Sequence, residues 1–315
     1  MIWQAAKAAA IGGRKEQQDR VDLFEARDGS ERMLALADGM GGHSGGALAS
    51  ETVVTTAREL WQKHLIKPKA ADLLLSSIIE VAHQRINALG EEKGLSPRST
   101  VVLLHLTDDM AHWTHVGDSR LYRFRGGDLL DRTHDHSVVQ MLVDMGKVAE
   151  QEMATHPDQN RLTQSLGGDK DPEPESSAAE IAVDDGFLLC SDGLWEQIPV
   201  EEMAKALEAA SLSVEAKKLV RLAEKRGGPE GDNVTLAMAS ATGSDNKKRR
   251  GRFGLFVGLI ATVVTAACLA VFIGLDFETA AGSGGGISVA LPAISGAAGN
   301  GSSGIARGNP DIRAR

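Results

Sequence analysis

Short apolar runs punctuated by Gly, Asp and Ser alternate with two pairs of longer amphipathic stretches over residues 1–242. Residues 2–11 and 20–26 read as strands and "RMLALA" at 32–37 as a central one, with Asp28-Gly29-Ser30 as the hairpin turn between the last two. In 46–64 the apolar positions Ala47, Val53, Ala57, Leu60 and Trp61 fall on one helical face, and in 70–90 Leu75, Ile78, Ile79, Ala82, Ile86 and Leu89 do the same. Pro68 separates these helices. Three close-set strands follow at 99–106, 111–117 and 119–127, as in an antiparallel meander. A mostly helical stretch at 137–155, a strand at 187–190, two helices within 200–226 and a last strand at 233–240 complete the pattern. Strands in runs and helices in pairs predict an α+β fold with mainly antiparallel sheets.

Composition adds little until the C-terminus. The chain has 315 residues, 42% hydrophobic and 24% charged, which is globular. Its two cysteines, Cys190 and Cys268, form neither a disulfide framework nor a metal-type spacing, so the body reads as cytosolic. The N-terminal apolar stretch lacks a basic start and is broken by Lys7, unlike a secretory signal. From Phe253 to Leu275 there are 23 residues without a charge. As a helix they would extend about 34 Å, enough for a membrane core of about 30 Å. The preceding "KKRRGR" at 247–252 predicts that this side is cytoplasmic. The expected organisation is therefore a catalytic domain at 1–242, a basic linker at 243–252, a transmembrane helix at 253–275 and a Gly-rich extracytoplasmic tail at 276–315. This amounts to a single-pass protein of the bacterial inner membrane. Residues 1–246 carry a net charge of about −14, which repels phosphate backbones and excludes nucleic acid as a partner.

Asp-Gly is a common turn dipeptide, and Asp28-Gly29 and Asp185-Gly186 stand in polar surroundings where a plain turn is expected. Asp38 in "ADGMGG" and Asp192 in "CSDG" differ, since each follows a four-residue apolar stretch that carries the carboxylate to a strand end. Asp19 in "EQQD", Asp118 in "VGDSR" and Asp232 in "GDNVT" hold similar places. Converging carboxylates repel one another unless cations lie between them. An all-oxygen set suits Mg²⁺ or Mn²⁺. The pairs His112/His115 and His134/His136 hint at zinc, but no Cys or Glu is seen to complete a tetrahedral set. Two oxygen-ligated ions would acidify a bridging water and bind a phosphoryl oxygen for in-line hydrolysis. Arg14, five residues before Asp19, reads either as a phosphate contact or as a surface residue.

The ordered series "RKEQQD", "ADGMGGH", "VGDSR", "THDHS", "NRLTQSLG", "CSDGLWE" and "GDNVT" resembles the metal-dependent protein phosphatases of the type 2C serine/threonine family, especially bacterial members, over roughly residues 8–241. The resemblance implies an α-β-β-α four-layer sandwich and two Mn²⁺ or Mg²⁺ ions, with a third site in bacterial members. It also implies hydrolysis of phosphoserine and phosphothreonine by a metal-bridging water, without a phosphoenzyme. Carried over by position, Asp38 bridges both ions and the Gly39 carbonyl joins one, while Asp192 and Asp232 hold the other. Asp19 orients coordinated water, Arg14 contacts phosphate, Asp118 contributes with Asp192 to a third site, and residues 138–160 form a flap. Three positions depart from the family pattern. Met40 stands where many relatives carry a proton-donating His, leaving water or His43 for that role unless protonation matters little. Gln17 replaces a common Asn, and Arg98 replaces a Gly before Ser99-Thr100. A non-catalytic phosphoprotein-binding module is the alternative, against which the intact Asp38, Asp192 and Asp232 speak. A two-metal phosphodiesterase is disfavoured by the acidic surface. Phosphorylated proteins, a Ser/Thr kinase and its substrates are the expected partners.

Overall fold

The computed structural model describes residues 2–42 and 45–242. The basic run 247–252, the uncharged stretch 253–275, the tail and His43 all lie outside these residues. Among the described residues no helix is long and apolar enough to cross a membrane.

The chain enters through β1 (Ile2–Ala10), then the hairpin of β2 (Asp19–Glu25) and β3 (Arg32–Met40). Two long helices follow, α1 (Gly45–Ile66) and α2 (Ala71–Lys93). Next come β4 (Arg98–Ser99), β5 (Val101–Leu106), β6 (Met110–Val116), β7 (Arg120–Arg125) and β8 (Asp128–Arg132). After α3 (Val138–Asp144) and a 3₁₀ turn at Glu150–Thr155 lie β9 (Glu175–Glu180) and β10 (Asp185–Cys190). The single-turn α4 (Asp192–Trp195), α5 (Val200–Leu207), α6 (Leu212–Gly227) and β11 (Val234–Thr242) close the domain.

One sheet runs β1-β11-β10-β7-β8 and the other β2-β3-β5-β6-β9, with β4 pairing to the end of β3, and every pairing is antiparallel. Three apolar clusters define four layers. Met33, Ala35 and Leu103 pack under Trp61 and Ile78 of α1 and α2. Leu188, Leu236 and Met238 pack under Met203 and Val220 of α5 and α6. Leu34, Leu36, Leu104, Phe187, Leu189 and Ala239 fill the space between the sheets. Strands covered on both faces read as unbroken apolar runs, and β5 is buried at all six positions. Each fully buried Leu or Ile contributes roughly 1.5–3 kcal/mol, so three such layers outweigh the weak preferences of short strands.

Asp28-Gly29-Ser30 forms the β2–β3 turn, with Gly29 at φ 71°. Asp185-Gly186 is not the plain turn expected from its sequence. Asp185 opens β10 with a fully buried side chain, and Arg123 and Arg125 on the neighbouring β7 both bond to it. The turn lies one residue earlier, at Asp184 with φ 70°. Strands β8 and β9 carry no apolar alternation and are almost wholly exposed, as edge strands can be.

Candidate active site

Strand alternation builds the site. On β3 the inward positions are Leu34 and Leu36, both in the inter-sheet core, and two residues on the same face presents Asp38. Asp19 lies directly opposite Asp38 in the β2–β3 register. On β10, Phe187 and Leu189 are followed on their face by Ser191, and on β11 Ala239 and Ala237 are preceded by Thr235. The core between the sheets thus ends in a polar layer. Ser191 Oγ donates to Asp19 Oδ2 at 2.7 Å and accepts from the Thr235 amide at 3.1 Å. The Asp38 amide donates to Thr100 Oγ1 at 3.0 Å, and Thr100 meets Ser119 Oγ at 2.7 Å.

Asp118 lies in the turn where the chain crosses from β6 in one sheet to β7 in the other. Asp192 begins α4 immediately after β10, and Asp232 precedes β11. The loop carrying Asp232 meets the Gly12-Gly13 turn at backbone contact, where a Cβ on Gly12 would lie 2.0 Å from the Asp232 carbonyl oxygen. That contact brings Arg14 alongside, with its Nη2 2.5 Å from Asp232 Oδ2. Asn233 ties down the same segment by donating to the Ile11 and Glu16 carbonyls and accepting from the Gln18 amide. Gly39 is similarly forced, because a Cβ there would lie 1.9 Å from the Gly46 carbonyl oxygen in the first turn of α1.

All five aspartates, Asp19, Asp38, Asp118, Asp192 and Asp232, therefore come together at one end of the sandwich. Burial, then the charges of Asp19, Asp192, Asp118 and Asp232, push the Asp38 carboxyl well above its ordinary range. Burial, then Asp118 and Asp232, do the same to Asp192. Burial raises Asp19 to about 6 against the opposing hydrogen bond from Ser191, and burial with Asp135 raises Asp118 to about 7 against the charge of Arg120. A group of hard oxygen donors that resists carrying its own charge fits divalent Mn²⁺ or Mg²⁺, and this chemistry matches the ions that the sequence implies.

Several supporting residues are not among those singled out from the sequence. Glu196, one helical turn beyond Asp192, lines the same cleft and is raised to about 7 by burial and Asp232. Its spacing of four residues from Asp192 was the available signal. Trp195 Nε1 donates to the Asp118 carbonyl at 3.1 Å, and the Arg120 guanidinium lies 3.6 Å from the centroid of the Trp195 ring. Arg120 also forks onto Asp135 at 2.8 and 2.7 Å, and its Nη2 lies 3.8 Å from the Met153 sulfur in the expected flap. The cleft, of about 240 Å³, is bordered by Arg14, Asn160, Asp192, Glu196 and Asp232.

Glutamates that the sequence did not place do approach histidines. His64 and His105 both meet Glu31 at 2.8 Å, and His115 and His136 stack at 4.7 Å beside Glu175. Their hydrogen bonds oppose a metal. The Lys69 amide donates to His64 Nδ1, so Nε2 carries the proton toward Glu31. Gly117 donates to His136 Nδ1 at 3.3 Å, which likewise leaves the proton on the Nε2 that faces Glu175.

The Protein phosphatase 2C family matches residues 10–225. The chain is 33% identical over 235 residues to "Protein phosphatase PhpP" of Streptococcus pneumoniae, covering 74% of this chain and 94% of that protein. The crystal structure of the Mycobacterium tuberculosis serine/threonine phosphatase PstP/Ppp superposes with a TM-score of 0.68 at 31% identity, covering 77% of this chain and all of that one. A structure of the PstP catalytic domain in complex with two manganese ions superposes at 0.66 with 30% identity, covering 76% of this chain and 99% of that one. With an α+β fold of two antiparallel sheets and a carboxylate set suited to divalent ions, the chain belongs to the protein phosphatase 2C family and is a metal-dependent serine/threonine protein phosphatase.

Proposed function

We propose that Asp38 and the Gly39 carbonyl, with Asp192 and Asp232, hold two Mn²⁺ or Mg²⁺ ions, and that Asp118 joins Asp192 at a third position. The observation that carries this reading is the convergence of Asp19, directly opposite Asp38, with Asp118, Asp192 and Asp232 at one end of the sandwich, where burial and then their neighbouring charges push Asp38 and Asp192 well above the usual carboxylate range. When bound, the ions supply a water acidic enough to attack phosphorus and a Lewis-acid hold on the phosphoryl oxygens. Asp19, fixed by Ser191, orients water beside Asp38. Arg14 at the mouth of the cleft, half exposed on Asp232, neutralises the charge of an arriving phosphate monoester. The thioether of Met40 has no proton to give, which leaves solvent or His43 to protonate the leaving serine or threonine oxygen, unless its protonation matters little.

Phosphate release from a phosphothreonine peptide should require Mn²⁺ or Mg²⁺, stop with EDTA and be lost in Asp192→Ala. Mn²⁺ should also raise the melting temperature of the native protein but not of Asp192→Ala. Full activity and an unchanged Mn²⁺ shift in the variant would overturn the assignment. We further propose that residues 247–275 anchor the catalytic domain to the inner face of a bacterial membrane, where it opposes a Ser/Thr kinase. The uncharged stretch and its basic flank support this. Recovery of the full-length chain in the soluble fraction after lysis would refute it.

A further inference from the structure

Two of the three positions where the sequence departs from its family pattern, Met40 and Arg98, are direct cross-strand partners in the β3–β4 register. Residues opposite one another on paired strands project to the same face, and Met40 shares that face with Asp38, two residues before it. Asp38, Met40 and Arg98 therefore form a row leading away from the metal-ligand set. Its outer members, Met40 and Arg98, border a separate cleft of about 380 Å³, whose lining includes Thr163, Gln164, Asp169 and Lys170. Its position is fixed from below, because Ser99 Oγ donates to the Asp38 carbonyl at 3.0 Å and the Thr100 amide donates to the same oxygen at 2.8 Å.

Arg98 is exposed, and its side chain has no hydrogen bond or ion pair with any other described residue. Its guanidinium lies against Gly168, where an added Cβ would come within 2.9 Å of Nη2, so the missing side chain at Gly168 leaves room for it beside the cleft. Lys170, by contrast, pairs with Glu173. An unpaired planar guanidinium on the rim of a cleft that it shares with Met40 offers two parallel donors to a carboxylate or a phosphate.

Resting on the phosphatase reading above, we propose that Met40 and Arg98 form a substrate-recognition subsite that takes an anionic side chain of the phosphopeptide. This side chain is an aspartate, a glutamate or a second phosphorylated residue beside the phosphothreonine being hydrolysed. Strand geometry sets the distance. At about 3.3 Å per residue, Met40 lies about 7 Å beyond Asp38, which an extended peptide covers in about two residues. Met40 gives the intervening residue an apolar, adaptable contact. Asp169 borders the same cleft and works against the preference, so its removal should strengthen it.

The test is the ratio of kcat/KM for phosphothreonine peptides carrying one Asp against the same peptides carrying Ala, with the position scanned along both flanks, in saturating Mn²⁺. The native enzyme should favour Asp about two residues from the phosphothreonine by roughly fivefold, the modest gain of a solvent-exposed pair, and phosphoserine there by more. Arg98→Ala should bring the ratio to one, Arg98→Glu should reverse it and Asp169→Asn should raise it. Melting curves establish that each variant is folded, and Arg98→Gln serves in place of any that is not. An Asp preference that persists in Arg98→Ala, or a native enzyme that turns over all peptides equally, overturns the subsite and leaves the phosphatase reading intact. No turnover of any peptide would remove both.

Discussion

Replacing Gly39 by alanine adds a single methyl group at the point where β3 meets α1, and the structure gives its cost. The new Cβ would stand 1.9 Å from the Gly46 carbonyl oxygen and 2.4 Å from its carbon, both backbone atoms that cannot swing aside. Relief to the closest tolerated separation, about 3 Å, requires the helix start and the strand end to part by about 1 Å. The strand end carries Asp38 one residue away. A displacement of about 1 Å in a catalytic constellation costs on the order of 100-fold in rate, and overpacking of this kind costs about 1–3 kcal/mol of stability. Gly39→Ala should therefore lower kcat/KM on a phosphothreonine peptide about 100-fold in saturating Mn²⁺, although the Gly39 carbonyl is retained. The midpoint of urea unfolding should fall as well. Gly227→Ala is the control, because a Cβ there meets nothing within 4 Å and the backbone is helical, so it should be neutral or slightly stabilising. Native activity and an unchanged midpoint in Gly39→Ala would refute the argument that this contact sets the place of Asp38.

Asp185→Asn should destabilise the fold by about 3 kcal/mol at pH 7, the low end for a broken buried pair because Arg125 reaches solvent. Burial pushes Asp185 up, but the bonds from Arg125, the Ala182 amide and Arg123 pull harder and leave it below its usual value. A depressed carboxyl contributes stability above its unfolded pKa of about 4 and loses it as pH falls through the folded value. The gap between native and variant in urea unfolding should therefore close in acid, and a gap independent of pH would contradict the pairing. Trp195→Phe keeps a ring under Arg120 but removes the donor to the Asp118 carbonyl, so half-maximal activity should need about tenfold more Mn²⁺. An unchanged Mn²⁺ titration would show that this bond does not position Asp118.

The sequence pattern made the sandwich legible because β3, β5, β10 and β11 are covered on both faces and therefore read as apolar runs, and α1 and α2 each show one apolar stripe. Asp38 and Asp192 stood out because each interrupts such a run. Strands β8 and β9 did not stand out, since exposed edge strands need no apolar alternation. Asp185 looked like a turn residue because its partners, Arg123 and Arg125, are about sixty positions away in sequence and meet it only across the β7–β10 ladder. The same holds for the link of Trp195 to Asp118 and of Arg120 to Asp135: their contacts are tertiary, and no local spacing predicts them. Glu196 was the exception, its distance from Asp192 being readable once α4 is known to be helical.

The polar layer that ends the inter-sheet core draws its residues from both sheets: Asp19 and Asp38 from one, Ser191, Asp192 and Asp232 from the other, with Asp118 at the crossing between them. Ions held there would act as a rivet through two plates. They would resist sliding or parting of the sheets, motions that must precede loss of the core, while adding nothing to either sheet alone. Their effect would accordingly fall on the rate of unfolding and leave refolding little changed, because the rivet cannot be set until the plates are already in register.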